Sequence, residues 1–245
     1  MKKLSIVSII LISFTIIIAV GQADIAIKEI NDVTQICQLT GSTSINSTDR
    51  FHISGTDLGS MFEYNGKLYF LFGDTFYPTF ENGWRSNTMA YTTDFNAADG
   101  ITFDGWITDT SGYAKELIPS RKIDNTEMTV IPTYGIAVNN RIYLYFMSVN
   151  HWGDPGQWNC NYSSIAYSED SGQTFTKATA TILWNSTSNF IQVSLYKIDS
   201  LDIPGTKDIL IWGIPSGRFG SVKLAKVNET EILNPTAYKY LSGFY

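Results

Sequence analysis

Phe62-Glu63-Tyr64, Asn65-Gly66, Lys67-Leu68-Tyr69-Phe70-Leu71-Phe72 reads as strand, tight turn, strand. Asn-Gly supplies the two positive φ values that a two-residue hairpin turn requires. The design recurs at Ile136-Ala137-Val138, Asn139-Asn140 and Arg141 to Phe146. A third copy, with a longer loop, runs from Val193 to Tyr196 and from Asp208 to Trp212. Each hairpin is followed by one more strand-like run: Thr88 to Tyr91, Ser164 to Tyr167, and Val222 to Ala225. Helical periodicity is absent nearly everywhere. A repeat of roughly 60–75 residues holding about four short strands is one blade of a β-propeller.

The turns after those runs strengthen the reading. Ser168-Glu169-Asp170-Ser171-Gly172-Gln173-Thr174-Phe175 fits S-x-D-x-G-x-T-F, the Asp-box of propeller blades. In that turn the Asp accepts backbone N–H bonds, the Gly takes a conformation closed to other residues, and the aromatic packs back into the blade. Thr92-Thr93-Asp94 through Gly100-Ile101-Thr102-Phe103 is a looser copy at the equivalent place. The expected fold is therefore all-β: a β-propeller with about three blades over residues 51–245, after a polar lead-in at 24–50. Closing a propeller takes roughly four or more blades, so truncation at the C-terminus is expected.

Composition limits the function. Of 245 residues 44% are hydrophobic and 14% aromatic, which is globular and leaves no room for a disordered chain. The net charge of −6 is opposite in sign to what neutralising phosphates demands, so nucleic acid is excluded as a partner. Lys2-Lys3, the apolar run Leu4 to Val20, and Gly21-Gln22-Ala23 read as a signal peptide over 1–23, cleaved after Ala23. The run is long for a signal, so an uncleaved membrane anchor is the alternative. Four N-x-S/T triplets begin at Asn46, Asn161, Asn185 and Asn228, in keeping with a secreted glycoprotein. Cys37 and Cys160 either pair in an oxidising compartment or stay separate thiols. With His52 and His151 they show no metal-ligand spacing, so no metal and no cofactor are expected.

Chemistry is sought in the polar residues among the apolar strands. Gly55-Thr56-Asp57-Leu58-Gly59 precedes the first hairpin and is expected as the innermost strand of its blade. Glu127, in Asn125 to Pro132, holds the equivalent place before the second hairpin, and Asp74 ends the strand that returns beside Asp57. Inner strands of neighbouring blades meet near one axis, so the three carboxyls are expected to converge to about 5–10 Å, the spacing glycoside hydrolysis uses. The roles expected are Asp57 as nucleophile or base, Glu127 as general acid and Asp74 as a modulator. The alternative is structural, because Asp beside Gly often caps its own backbone. Trp152 and Trp158 flank a Gly/Pro-rich stretch and offer faces to stack on sugar rings or to pack on the blade edge.

Several motifs carry a resemblance beyond these patterns. They are G-T-D-L-G at 55–59, Y-N-G-K-L-Y-F-L-F-G-D-T-F at 64–76, W-R-S-N at 84–87, A-Y-T-T-D at 90–94, N-T-E-M-T-V-I-P-T at 125–133, P-S-G-R-F-G at 215–220 and L-N-P-T-A-Y-K-Y-L-S-G at 233–243. Together they resemble the domain-of-unknown-function 4185 family over about residues 50–245. The family looks like the five-bladed propellers that include furanosidases. Some of its members are endo-acting D-arabinanases. The resemblance implies an acidic site of Asp57, Asp74 and Glu127, with Arg218, Arg85 and Asn87 as substrate-binding groups; a structural salt bridge is the other reading of Arg218. The expected protein is a secreted, monomeric glycoside hydrolase acting on a furanose-containing polysaccharide or cell-wall glycan, with no membrane contact once the leader is removed. A non-catalytic carbohydrate- or protein-binding propeller is the alternative.

Overall fold

The computed structural model describes residues 29–57, 59–79, 82–178, 183–198 and 204–242, with Arg218 as backbone only. The leader at 1–23 lies outside the described residues. The chain divides into two compact units, Met1–Thr34 and Gln35–Tyr245, and the second holds all of the β structure described below.

The chain enters the fold through β1 (Gly55–Thr56). It then builds a four-stranded sheet from β2 (Ser60–Tyr64), β3 (Lys67–Phe72), β5 (Thr88–Thr92) and β6 (Gly105–Trp106), in that spatial order. Between β3 and β5, β4 (Thr75–Phe76) turns aside to pair with β1. The second sheet is β7 (Thr129–Val138), β8 (Arg141–Trp152), β9 (Trp158–Ser168) and β10 (Thr176–Lys177), with β11 (Trp184–Asn185) also on β9. The third is β12 (Gln192–Lys197), β13 (Asp208–Ile214), β14 (Lys223–Asn228) and β15 (Lys239–Tyr240). All of these pairs are antiparallel. The first strands of successive sheets run beside one another, β2 along β7 and β7 along β12. Sheets stacked through their first strands are blades, and the architecture is that of a β-propeller with three blades among the described residues.

Local chemistry explains the hairpins. Asn65 and Gly66 sit at φ 50° and 70°, and Asn139 and Asn140 at 51° and 62°. Asn tolerates this left-handed region because its short polar side chain bonds locally. The outer turns are closed by carboxylates. Asp170 accepts from Thr174 N at 2.9 Å, from Thr174 Oγ1 at 2.6 Å and from Ser168 Oγ at 2.8 Å. Gly172, at φ +88°, carries no Cβ where one would lie 2.4 Å from Met89 Cε. Asp94 does the same work in the first blade, accepting from Asn96 N and Thr102 N at 3.0 Å each.

Period-two alternation then buries the blade faces. Phe62, Leu71 and Met89 of the first blade meet Val130, Leu144 and Phe146 of the second. Tyr145, Ile165 and Trp184 meet Val193, Ile211 and Val227 of the third. Each such side chain contributes about 1.5–3 kcal/mol on burial. The blades approach so closely that a Cβ on Gly135 would lie 2.4 Å from the Phe62 ring. The other face of the first blade is covered by residues 35–54, where Leu39, Phe51 and Ile53 pack on Phe70, Phe72 and Trp106.

One expectation changes, and one open alternative closes. The innermost strand of the first blade is β2, not residues 55–59, because Gly55 and Thr56 spend their backbone bonds on Phe76 and Thr75. Asp57 instead precedes β2 as Glu127 precedes β7. Cys37 and Cys160 are separate thiols. Cys37 lies against Gly100, while Cys160 packs with Trp158 and Ile191. Burial pushes the Cys160 thiol up to about 11.

Candidate active site

The β1–β4 ribbon continues one step past its assigned strands. Asp57 N donates to Asp74 O, and Gly73 N donates to Asp57 O, each at 2.8 Å. This register makes two aspartates seventeen residues apart in sequence into backbone neighbours. Their surroundings differ. Asp57 is exposed, whereas Asp74 is only 5% exposed. Asp74 Oδ1 accepts from Trp84 Nε1 at 2.9 Å and from Thr129 Oγ1 at 2.6 Å. Both bonds fall on Oδ1, and among the described residues none is made to Oδ2. Burial pushes the Asp74 carboxyl up to about 6; the two hydrogen bonds oppose that rise, and the charges of Asp57 and Glu116 add to it. A proton held there belongs on Oδ2, since Oδ1 is already an acceptor twice.

Asp57 faces a pocket of about 320 Å³. Ile131 and Met147 of the second blade line it with the β8–β9 hairpin tip, including Trp152, Asp154 and Trp158. The two indoles meet edge to face at 5.9 Å. Trp158 is 8% exposed and packed with Cys160, while Trp152 is half-buried, so Trp152 is the ring with a face to offer. The tip belongs to the ends of two long strands rather than to a free loop: Trp152 pairs with Trp158 in the ladder. A larger space of about 560 Å³ lies between the inner strands, lined by Ser60, Thr133, Gln192 and Trp212 among others, and among the described residues no carboxylate lines it.

Arg218 follows Ser216, whose Oγ donates to Trp158 O at 2.5 Å. That bond sets the Ser216–Arg218 turn against the aromatic hairpin; the Arg218 side chain lies outside the described residues. Glu127 is 8% exposed, but its carboxylate turns to its own blade. Oε2 accepts from Ser148 Oγ at 2.8 Å, and Oε1 lies 3.8 Å from Lys177 Nζ. The residues that line the pocket beside Asp57 include neither Glu127 nor Asp74.

Arg85 and Asn87, expected as substrate contacts, spend their side-chain hydrogen bonds on the fold. The Arg85 guanidinium donates to Gly83 O at 3.1 Å, to Ala114 O at 3.0 Å and to His52 O. Asn87 is fully buried; its Nδ2 donates to Ile118 O and Val130 O at 2.8 Å each, and its Oδ1 accepts from Leu117 N and Ile118 N at 3.0 and 2.8 Å. The amide has no capacity left for a ligand, and it ties the first blade to β7.

Trp84, Thr129, Glu116 and Lys122 belong to the site and were not anticipated. Lys122 Nζ donates to Trp84 O at 2.7 Å, lies 3.3 Å from Glu116 Oε1 and sits 5.4 Å over the Trp84 ring. Glu116 Oε1 also accepts from Ser86 N at 2.7 Å. This frame holds the indole N–H on Asp74.

The family described as "Domain of unknown function (DUF4185)" matches residues 43–244. A curated relative, notoamide biosynthesis cluster protein J of Aspergillus sp. (strain MF297-2), is 33% identical over 143 residues, 52% of this chain and 38% of that protein. Among solved structures, a family 117 glycoside hydrolase from Zobellia galactanivorans aligns with a TM-score of 0.48 at 14% identity, covering 77% of this chain and 46% of its own. An α-L-arabinofuranosidase from Clostridium thermocellum aligns with 0.45 at 14%, covering 80% and 60%. A GH32 β-fructofuranosidase from Bombyx mori aligns with 0.44 at 17%, covering 79% and 38%. The chain spans less than two thirds of the length of each of these relatives.

Proposed function

This chain belongs to the DUF4185 family, and from that premise we propose that it is an exported glycoside hydrolase-like propeller that cleaves a furanose-containing polysaccharide of the arabinan type. The observation that carries the reading is the backbone-bonded pair of Asp57 and Asp74, one exposed on an aromatic-walled pocket and one buried and raised to about 6. Two carboxyls placed in unlike environments are what acid and base roles require. Below about pH 6, Asp74 holds a proton on Oδ2 and delivers it to the leaving glycosidic oxygen as the bond from the anomeric carbon breaks. Asp57 then meets the positive charge that develops on the sugar ring, either by attacking the anomeric carbon or by taking a proton from the water that does.

Glu127 takes a positioning role in this account. Bonded to Ser148 and beside Lys177, it anchors the start of β7, whose Thr129 donates to Asp74. Trp152 stacks on the sugar, and Arg218, at the turn against Trp158, contacts its hydroxyls. The furanose preference rests on the motif resemblance over residues 55–133 and 215–243, and export rests on the basic and apolar leader.

The test is release of new reducing ends from a panel of arabinan, other furanose polymers and pyranose controls, with the anomeric configuration of the first product read by NMR. Release from a furanose polymer alone supports the reading. Binding to such a polymer without any release would move the protein to the carbohydrate-binding alternative.

A further inference from the structure

Four N-x-S/T triplets occur in the chain, and the fold treats them unequally. Asn46 is 6% exposed. Its Nδ2 donates to Leu39 O and Ile101 O at 3.1 Å each, and its Oδ1 accepts from Phe103 N at 2.7 Å. Thr48, two residues on, is fully buried. This asparagine clamps residues 35–54 onto the first blade. Asn161, within β9, donates through Nδ2 to Thr126 O at 2.7 Å and to Ser148 Oγ at 3.1 Å, and its Oδ1 accepts from Asn150 Nδ2 at 3.0 Å. Ser163, two residues on, is fully buried.

Asn185 and Asn228 are built differently and alike. Asn185 Oδ1 accepts from Thr187 N at 3.1 Å and from Thr187 Oγ1 at 2.8 Å. Asn228 Oδ1 accepts from Thr230 N at 3.1 Å and from Thr230 Oγ1 at 2.8 Å. In both, the side chain and the hydroxyl two residues later close one turn, and Nδ2 makes no bond among the described residues. Asn185, Thr187 and Thr230 are exposed, and Asn228 is half-buried.

We propose that Asn185 and Asn228 are the N-glycan acceptors of this protein and that Asn46 and Asn161 are not, because the fold leaves the amide nitrogen open only at the first two. In the transfer, Asn Nδ2 attacks the anomeric carbon of an oligosaccharide carried on a polyprenyl diphosphate. The N–C bond forms, the C–O bond to the diphosphate breaks, and the amide gives up one proton, so the reaction consumes no oxidant or reductant. A glycan placed on Asn46 before folding would have to fit where the Leu39 and Ile101 carbonyls now bind, so chains that fold are chains without it. Both acceptors lie on or between the outer parts of their blades, at the β11 edge and at the end of β14, where a large hydrated group meets solvent.

The inference rests on the export reading and not on the catalytic one. The test produces the full chain in a eukaryotic secretory host, releases N-glycans with peptide N-glycosidase F in ¹⁸O water, and maps the labelled aspartates by mass spectrometry in medium and cell fractions separately. The expected result is label at positions 185 and 228 of the protein in the medium, and none at 46 or 161. Thr187→Ala and Thr230→Ala should each remove one glycan, and Asn46→Gln should leave the glycan count unchanged. Label at 46 in folded secreted protein, or bare 185 and 228 in the medium, would overturn the inference. A glycan-free chain retained in the cell would overturn export, and this assignment with it.

Discussion

The amide of Asp57 donates to the carbonyl of Asp74 at 2.8 Å, so the main chain that carries the exposed carboxyl of the candidate pair cannot shift without moving the backbone of the buried one. The pair is held at two levels: the ribbon fixes the main chain, while Trp84 and Thr129 fix the Asp74 side chain. Such rigid placement is what a reacting group needs, because small displacements at the reaction centre cost large factors in rate.

The buried acid sets a pH dependence. The working form of Asp74 is protonated, and its carboxyl is raised to about 6, so turnover should fall as pH rises through about 6. Thr129→Val removes one of the hydrogen bonds that favour the ionised form, and so should move that fall to higher pH. Initial rates between pH 4 and 9 for both proteins check this. A profile with the same alkaline limb in both would separate Asp74 from the limb.

Stability should carry the same signature. Because the carboxyl of Asp74 is raised in the folded state from 3.8 to about 6, the folded chain binds the proton more tightly than the unfolded one between those values. Its contribution is therefore fully present below about pH 4 and is lost as pH rises to about 6, a swing on the order of 3 kcal/mol. Asn at this position keeps an oxygen to accept from Trp84 and Thr129 and carries no charge. Asp74→Asn should accordingly be more stable than the parent at pH 8, with the advantage shrinking toward pH 4. Urea unfolding at both pH values measures it, and an advantage that grew toward low pH would contradict the account.

The two indoles of the pocket should separate binding from folding. Trp158→Ala should cost about 3–5 kcal/mol, as truncation of a packed Trp does, visible as a lower denaturation midpoint. Trp152→Ala should leave the midpoint within about 1 kcal/mol and raise the Kd for oligosaccharide roughly tenfold, the value of one aromatic contact. Fluorescence titration and denaturation of the same samples distinguish them. Equal loss of stability in both variants would make Trp152 a packing residue.

Asn87 should behave as a fastener. Asn87→Ala strands two backbone carbonyls and two amides in the interior, and each stranded group costs about 1–3 kcal/mol. The expected loss is at least about 3 kcal/mol, read by denaturation, with soluble yield falling in step. A variant that unfolded like the parent while losing polysaccharide binding would restore the ligand role.

The blades were legible because their signals are local. Asn65-Gly66 and Asn139-Asn140 dictate tight turns, and Val193, Leu195, Ile209 and Ile211 alternate as a buried face does. Placing Asp57 beside Asp74 followed from the repeat, since the strand that ends near Asp74 had to return past Asp57. What was not legible is tertiary. Nothing near Asn87 in sequence shows that the carbonyls of Ile118 and Val130 will claim its amide. Glu127 sits where the repeat put it, but the direction of its side chain depends on Ser148 and Lys177, 21 and 50 residues away. Trp84 was hidden because its partner Asp74 is ten residues away and across a turn.

The most direct measurement of the central claim is kcat/KM on a furanose polysaccharide at pH 5 for the parent, Asp57→Asn, Asp74→Asn and Glu127→Gln, all confirmed folded by circular dichroism. The account expects losses of about 10²–10⁴-fold in each aspartate variant and less than about tenfold in Glu127→Gln. Full activity in either aspartate variant, or a loss confined to Glu127→Gln, would contradict it.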